Sequence, residues 1–398
     1  MKIVFLHTDF RVYWLPRLKY LGDFLQSHGH ELHIIEIAGN GSPYAFSDAR
    51  LEYGVYQWHC LFPDHGMEHI SSDEACKRSM DILERLKPDI VFAGAIAYPS
   101  GASAVKFCRK NRIPVVIFDN ARLADVPRSK IVNWIKRKIY ENVDAVLIPA
   151  PSHLMDFQFW GFNENQVYYG ANVVDNQYWE ALSHDIGVLR QFKLPEKYFL
   201  GVGRQIPKKN WYNLLVAYKK TDCKTELVLV GNGTERPKLE QFIKENQCNG
   251  RVHLLDFQKP EVLAPLYRQA KALILPSFGG ETWGLTVNEA MSCGTPVLVS
   301  NLCGCCETLC INGKTGFSFS PEVDAIADAL KKFEALSDEE LCTMRNNAKD
   351  MIAQWGIERF AESVFRASRD LTKQTVKSYY SLISRIIVSL WKGRYRPV

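Results

Sequence analysis

Mostly apolar runs of three to five residues recur along the chain, each followed by a stretch whose apolar positions fall three and four apart. In the first half the short runs sit at 3–6, 31–35, 90–92, 115–118 and 145–148. In the second half they sit at 198–202, 227–230, 252–255, 272–275 and 297–300. Short, continuously apolar runs predict strands buried on both faces, as in parallel sheets. Between the first two, Leu18, Leu21 and Leu25 line one face of a helix with Pro16 near its start and Gly29 after its end. Strand and helix alternate throughout, which predicts α/β architecture. Two such series in succession predict two Rossmann-like domains. The polar stretch around 180–196 marks the expected division, giving domains at 1–182 and 183–357. From 358 to 398 the pattern is helical and ends in an aromatic, basic tail, Trp391-Lys392-Gly393-Arg394-Tyr395-Arg396.

Charge adds two further expectations. The chain has 398 residues and a net charge of +5, a mild excess that suits anionic small ligands and argues against nucleic acid. No apolar run approaches the roughly 18–20 residues of a membrane-crossing helix. The first apolar run is too brief for a leader and reads as a strand, so a reducing, cytoplasmic setting is expected. Two segments are both basic and apolar. In 128–140, Lys136, Arg137 and Lys138 are expected opposite Ile131, Trp134 and Ile135. In 378–391, Tyr379, Ile383, Ile386, Ile387 and Leu390 share one broad face, with Arg385 and Lys392 elsewhere. Such helices either lie on an anionic membrane, here its inner face, or pack on the domain with a solvated basic side.

The chemistry concentrates after the run at 272–275. There Pro276-Ser277-Phe278-Gly279-Gly280-Glu281-Thr282-Trp283-Gly284-Leu285-Thr286-Val287-Asn288-Glu289 reads as a strand end, a glycine-rich loop and a helix start. Unpaired N–H groups around Gly284, Leu285 and Thr286, with the positive end of the helix dipole, form a phosphate site. Glu281 and Glu289 flank that site and would repel phosphate. Their use is to accept hydrogen bonds from hydroxyls on either side of it, as in a sugar–diphosphate–ribose. A surface helix with an acidic first turn is the plainer alternative. A second basic loop, Gly201-Val202-Gly203-Arg204-Gln205-Ile206-Pro207-Lys208-Lys209-Asn210, follows the run at 198–202. Arg204 and Lys209 bring a planar fork and a compact ammonium from one strand end. Gly231-Asn232-Gly233 follows the next strand and permits another close backbone approach.

Of eleven cysteines, four cluster in Cys303-Gly304-Cys305-Cys306-Glu307-Thr308-Leu309-Cys310. That spacing matches no common zinc or iron–sulfur pattern, and the cluster reads as reduced packing thiols.

These residues, in this order, resemble the second domain of a retaining GT-B glycosyltransferase of family 4, the glycosyl transferases group 1. The resemblance continues through Gly294-Thr295-Pro296-Val297, Gly304 with Glu307, and Asn312-Gly313-Lys314-Thr315-Gly316-Phe317. Trp355 with Phe360 resembles the entry to the helix that crosses back to the first domain. The first half resembles the family less. The segment Thr8-Asp9-Phe10-Arg11-Val12-Tyr13-Trp14 stands where relatives carry a Gly-Gly loop, and Asp119-Asn120 where many carry a histidine. The family implies two parallel-sheet domains facing across a cleft. It implies a nucleotide-sugar donor, UDP-linked in preference to GDP-linked, and a glycan or lipid-linked acceptor in cell-surface polysaccharide synthesis. It implies catalytic roles for Arg204, Lys209 and Glu281, with Asp119 to be tested on the acceptor side. Gly203, Gly231, Gly233, Phe257, Gly280, Trp283, Gly284, Leu285, Thr286 and Glu289 are the implied donor contacts. No Asp-x-Asp occurs in the chain, so an Arg/Lys clamp replaces a divalent cation in this expectation, with no cofactor. The alternative is a non-catalytic sugar-nucleotide-binding protein of the same shape.

Overall fold

The computed structural model describes residues 1–11, 13–40, 54–376 and 379–394. Val12 of the first loop, and Ser378, Tyr395 and Arg396 of the tail, lie outside them. The chain forms two compact units. The first comprises Met1–Leu123, Pro127–Val173 and Ile357–Val398, the second Ala124–Val126 and Val174–Gly356.

The first unit holds a seven-stranded sheet. Its strands are β1 (Lys2–His7), β2 (Glu31–Ala38), β3 (Gln57–Phe62), β4 (Ile90–Ala93), β5 (Val115–Phe118), β6 (Ala145–Ile148) and β7 (Val167–Tyr169). They pair in the order β3-β2-β1-β4-β5-β6-β7, all parallel. The helix Trp14–Ser27 covers one face, burying Leu18, Leu21 and Leu25. The helix Ile357–Thr372 returns to that same face and adds Phe360 and Val364 to its core.

The second unit holds a six-stranded parallel sheet. Its strands are β8 (Tyr198–Val202), β9 (Glu226–Val230), β10 (Val252–Leu255), β11 (Ala272–Leu275), β12 (Val297–Ser300) and β13 (Gly316–Phe319), ordered β10-β9-β8-β11-β12-β13. The chain winds outward from β8 to β10 and then returns to lay β11 beside β8. Two doubly wound parallel sheets with helical covers make this an α/β GT-B fold.

Three strands escape the apolar pattern: β3, β7 and β13. Each lies at an edge of its sheet. An edge strand is wetted on one side, so it needs no continuous apolar run; β3 reads Gln57-Trp58-His59-Cys60-Leu61-Phe62 and is fully buried only at its end. The passage between units falls at Val173/Val174, ahead of the division expected after 182. The helix Asn176–Leu182 sits in the second unit because its Trp179 is buried there, 5.9 Å from the Tyr267 ring, and Asn176 Nδ2 donates to Ile352 O at 2.8 Å.

The basic helix Lys130–Tyr140 overturns its expected orientation. Lys136 is buried, its ammonium over the rings of Trp160 (4.6 Å) and Tyr140 (5.5 Å). Ile131 and Trp134 are 71% and 48% exposed. Cation–π contact lets the lysine turn inward, where it spends its charge on aromatic faces.

Candidate functional site

In an open α/β sheet, ligands gather where the strand order reverses, at the carboxyl ends of the strands. In the second unit that place is the β8/β11 junction, and both predicted phosphate elements start there. From β8, Gly203 N donates to Val230 O (3.0 Å) and Gln205 N to Asn232 O (2.8 Å), so the basic loop lies against the loop after β9. A Cβ on Gly231 would meet Gly203 O at 2.1 Å, and one on Gly233 would meet Gln205 O at 2.3 Å. Glycine at both positions is therefore dictated by loop-on-loop packing. Asn232 Oδ1 accepts from Phe257 N (2.9 Å), which brings in the end of β10.

Asn210 closes the basic loop in a left-handed conformation, φ +63°. Its buried amide donates to Pro276 O (3.0 Å) and Pro321 O (2.9 Å), fastening the β8 loop to the chain leaving β11 and to the segment after β13. Phe278 N donates to Lys208 O at 3.0 Å along the same seam. Across it Lys209 Nζ forms an ion pair with Glu281, whose Oε2 also accepts from Ser277 Oγ at 3.3 Å. The two charged side chains are 11% and 16% exposed. Partial burial lowers the pKa of neighbouring Lys208; Glu281 opposes the shift, and Arg204 and Lys209 reinforce it. The loop is thus a dense cationic cluster with Glu281 set into it and Asp125 nearby, which also opposes the Lys208 shift and accepts from Gly280 N at 3.0 Å.

Gly284 starts the helix Leu285–Ser292 at φ +111°, and a Cβ there would strike Leu275 Cδ2 at 2.8 Å. The close approach sets the first-turn N–H groups directly over the end of β11, where the dipole favours an anion. One turn in, Glu289 is 2% exposed and its Oε2 accepts from Tyr267 OH at 2.7 Å. The cysteine turn supports this loop from beneath: Gly304 N donates to Glu281 O (2.9 Å) and Cys305 N to Trp283 O (3.1 Å). Cys303, Cys305, Cys306 and Cys310 are buried and outside any disulfide. Burial pushes the Cys305 thiol up; a hydrogen bond to Cys306, then burial, does the same for Cys310. Their work is packing.

Comparison with known proteins agrees with this fold. The family described as glycosyl transferases group 1 matches residues 190–351, and the one described as glycosyltransferase family 4 matches 17–178. This chain belongs to the GT-B glycosyltransferases of family 4. It is 32% identical over 200 residues to the O-antigen chain mannosyltransferase B of Escherichia coli, a stretch covering 48% of each chain. It therefore spans about half the length of that curated relative. Among solved structures, sucrose-phosphate synthase from Thermosynechococcus elongatus superposes with a TM-score of 0.72 at 19% identity, covering 94% of this chain and 99% of the other. Anabaena HepE in complex with UDP superposes with a TM-score of 0.71 at 18% identity, over 94% of this chain and 99% of that one.

Within this family-4 chain, the β8/β11 junction collects Gly203, Arg204, Lys209, Gly280, Glu281, Gly284, Leu285 and Thr286. Glu289 lies one turn deeper. Phe257 sits at the end of β10 with its ring 52% exposed. Trp283 departs from its expected place: it is 1% exposed, its Nε1 donates to Asn288 Oδ1 at 2.8 Å, and its ring lies 6.5 Å from Trp355. Its indole anchors the loop from inside, away from the loop surface. Asp119 belongs to the first unit, where its carboxylate accepts from Ala121 N (2.9 Å) and Tyr140 OH (3.0 Å). That carboxylate holds a turn together. Asn210 and Tyr267 are given no role by the sequence, and the turn at 303–305, read there as packing thiols, is not linked to this loop. Their partners lie as far as 111 residues away in Asn210's case, beyond the reach of local pattern.

Proposed function

We propose that the protein transfers a sugar from a nucleoside-diphosphate sugar, UDP-linked in preference to GDP-linked, to a glycan or lipid-linked glycan, with retention at the anomeric carbon. The observation that carries this reading is the joining of a cationic loop and a glycine-started helix at one strand junction by the Lys209–Glu281 pair. In the proposed reaction, negative charge develops on the leaving diphosphate. Arg204, Lys209 and the first-turn N–H groups around Leu285 stand ready to receive it, which is stabilisation where a transferase most needs it. Glu281, at the edge of that cluster, takes hydroxyls of the sugar being moved. Glu289 takes the ribose. The exposed ring of Phe257 offers a face for the base. The O-antigen relative supports a cell-surface polysaccharide as the setting.

With an Arg/Lys clamp, transfer proceeds without a divalent cation. The test is a panel of UDP- and GDP-sugars assayed for slow donor hydrolysis and for transfer, with and without EDTA, the product anomer being read by NMR. Hydrolysis of one UDP-sugar in EDTA, with transfer giving the donor's own anomer, supports the reading. Tight UDP binding with no hydrolysis of any donor would favour a binding protein, and turnover restored only by Mg²⁺ or Mn²⁺ would remove metal independence.

A further inference from the structure

In the first unit, two neighbouring helices turn their apolar sides outward. The helix Leu382–Leu390 packs beside the helix Lys130–Tyr140, and Tyr380 N donates to Asn142 Oδ1 at 3.0 Å next to the junction. Its inward side carries Ser384 and Val388, both buried, while the half-buried Ile387 and Trp391 complete the attachment to the core. Its outward side carries Leu382, Ile383, Ile386 and Leu390, each half exposed or more, up to 73% for Leu390. At 100° per residue these four positions form one stripe. On the neighbouring helix Trp134 lies at the centre of the exposed side, between Ile131 and the cationic Lys130 and Arg137. A surface helix of a water-soluble domain shows the opposite arrangement.

Within the two helices the charge has one sign, while at their ends Lys138 pairs with Glu141 and Lys392 with Asp73. Residues 128–140 contain Arg128, Lys130, Lys136, Arg137 and Lys138 and no acidic residue. Residues 379–394 contain Arg385, Lys392 and Arg394 and again no acidic residue. Apolar stripes with tryptophan, flanked by the exposed cations Lys130, Arg137 and Arg385, match the boundary of an anionic bilayer, where headgroups meet acyl chains. No helix among the described residues is long and apolar enough to cross a membrane.

We propose that these two helices form a peripheral docking surface for an anionic lipid bilayer, with Trp134, Ile386 and Leu390 entering the headgroup–acyl boundary and Lys130, Arg137 and Arg385 meeting lipid phosphates. Charge complementarity and the outward apolar stripes together select lipid. A second copy of the chain would oppose like charges across the same face, at a cost. The surface stands independently of the donor site.

The test uses the full chain in co-sedimentation with vesicles of phosphatidylcholine alone or with about a third of the lipid replaced by phosphatidylglycerol. The surface predicts binding to the anionic vesicles, weakened by salt, and little binding to the neutral ones. Ile386→Asp with Leu390→Asp, both at exposed positions, should lower binding about tenfold or more, as should Trp134→Asp, with the UDP titration unchanged. Equal binding by wild type and both variants, or no binding to anionic vesicles, overturns the proposal. So does a dimer in sedimentation velocity that Ile386→Asp dissociates, since that outcome assigns the face to a second copy.

Discussion

Lys209 and Glu281 stand 72 residues apart in sequence and form an ion pair across the β8/β11 junction. One residue comes from the cationic loop and the other from the loop that starts the helix Leu285–Ser292. Each therefore fixes the other's side chain where a diphosphate and a sugar would meet. Lys209→Met keeps the aliphatic stem and removes the ammonium. UDP affinity should fall by about 1.5–3 kcal/mol, the loss of a charge-assisted contact, while affinity for uridine stays as it was. Calorimetric titration of both ligands checks this, and equal losses for both would show damage to the loop rather than to the clamp.

Asn210 is the structural tie behind that pair. Asn210→Ala leaves two buried carbonyls unpaired and places a Cβ-bearing residue without side-chain compensation at φ +63°. Urea denaturation should show a loss of about 2–4 kcal/mol. Asn210→Gly relieves the backbone but not the carbonyls, so it should cost measurably less. Identical losses for the two variants would place the whole effect in the hydrogen bonds.

Glu289 accepts from Tyr267 OH and lies one turn inside the helix, which suits a ribose held beyond the diphosphate. The wild type should prefer UDP to 2′,3′-dideoxy-UDP. Glu289→Ala should erase most of that preference, and Tyr267→Phe should weaken it by freeing the carboxylate's orientation. A preference that survives Glu289→Ala would remove the residue from ribose recognition.

The first unit carries a pH dependence of its own. Glu36 at the end of β2 is buried and accepts from Phe10 N at 2.8 Å; burial raises its pKa to about 7, with the Phe10 bond opposing and Asp9 reinforcing. The folded value lies above the unfolded one. Folding therefore favours the protonated acid, and the contribution to stability falls as pH rises between roughly 4.5 and 7. Glu36→Gln keeps an acceptor for Phe10 and removes the titration. It should be more stable than wild type at pH 8, by about 3 kcal/mol at most, and close to wild type at pH 4. Urea midpoints at the two pH values decide it; a wild-type protein that gains stability from pH 5 to pH 7 while the variant does not would reverse the sign.

The sheets and the donor loops were legible because their signals are local. A buried parallel strand must be apolar on both faces, and a helix start that approaches a strand end needs a residue such as Gly284. Edge strands such as β3 carry no such demand and were missed. Trp283 shows the same limit from the other side. In sequence it stands inside the loop among the implied donor contacts, yet its indole closes the core against Asn288 and Trp355. Lys136 was read as solvated because charge usually is, and two aromatic rings gave it an inward alternative. Asp119 shows that a carboxylate at a strand end also has structural work: it accepts from Ala121 N and Tyr140 OH.

The central claim is that the β8 loop holds a nucleoside diphosphate through its cations. Calorimetric titration of UDP, UMP and uridine into wild type and Arg204→Ala tests it most directly. Arg204→Ala should weaken UDP by about ten- to a hundredfold, weaken UMP less and leave uridine unchanged. An unchanged UDP affinity in a folded Arg204→Ala protein would contradict it.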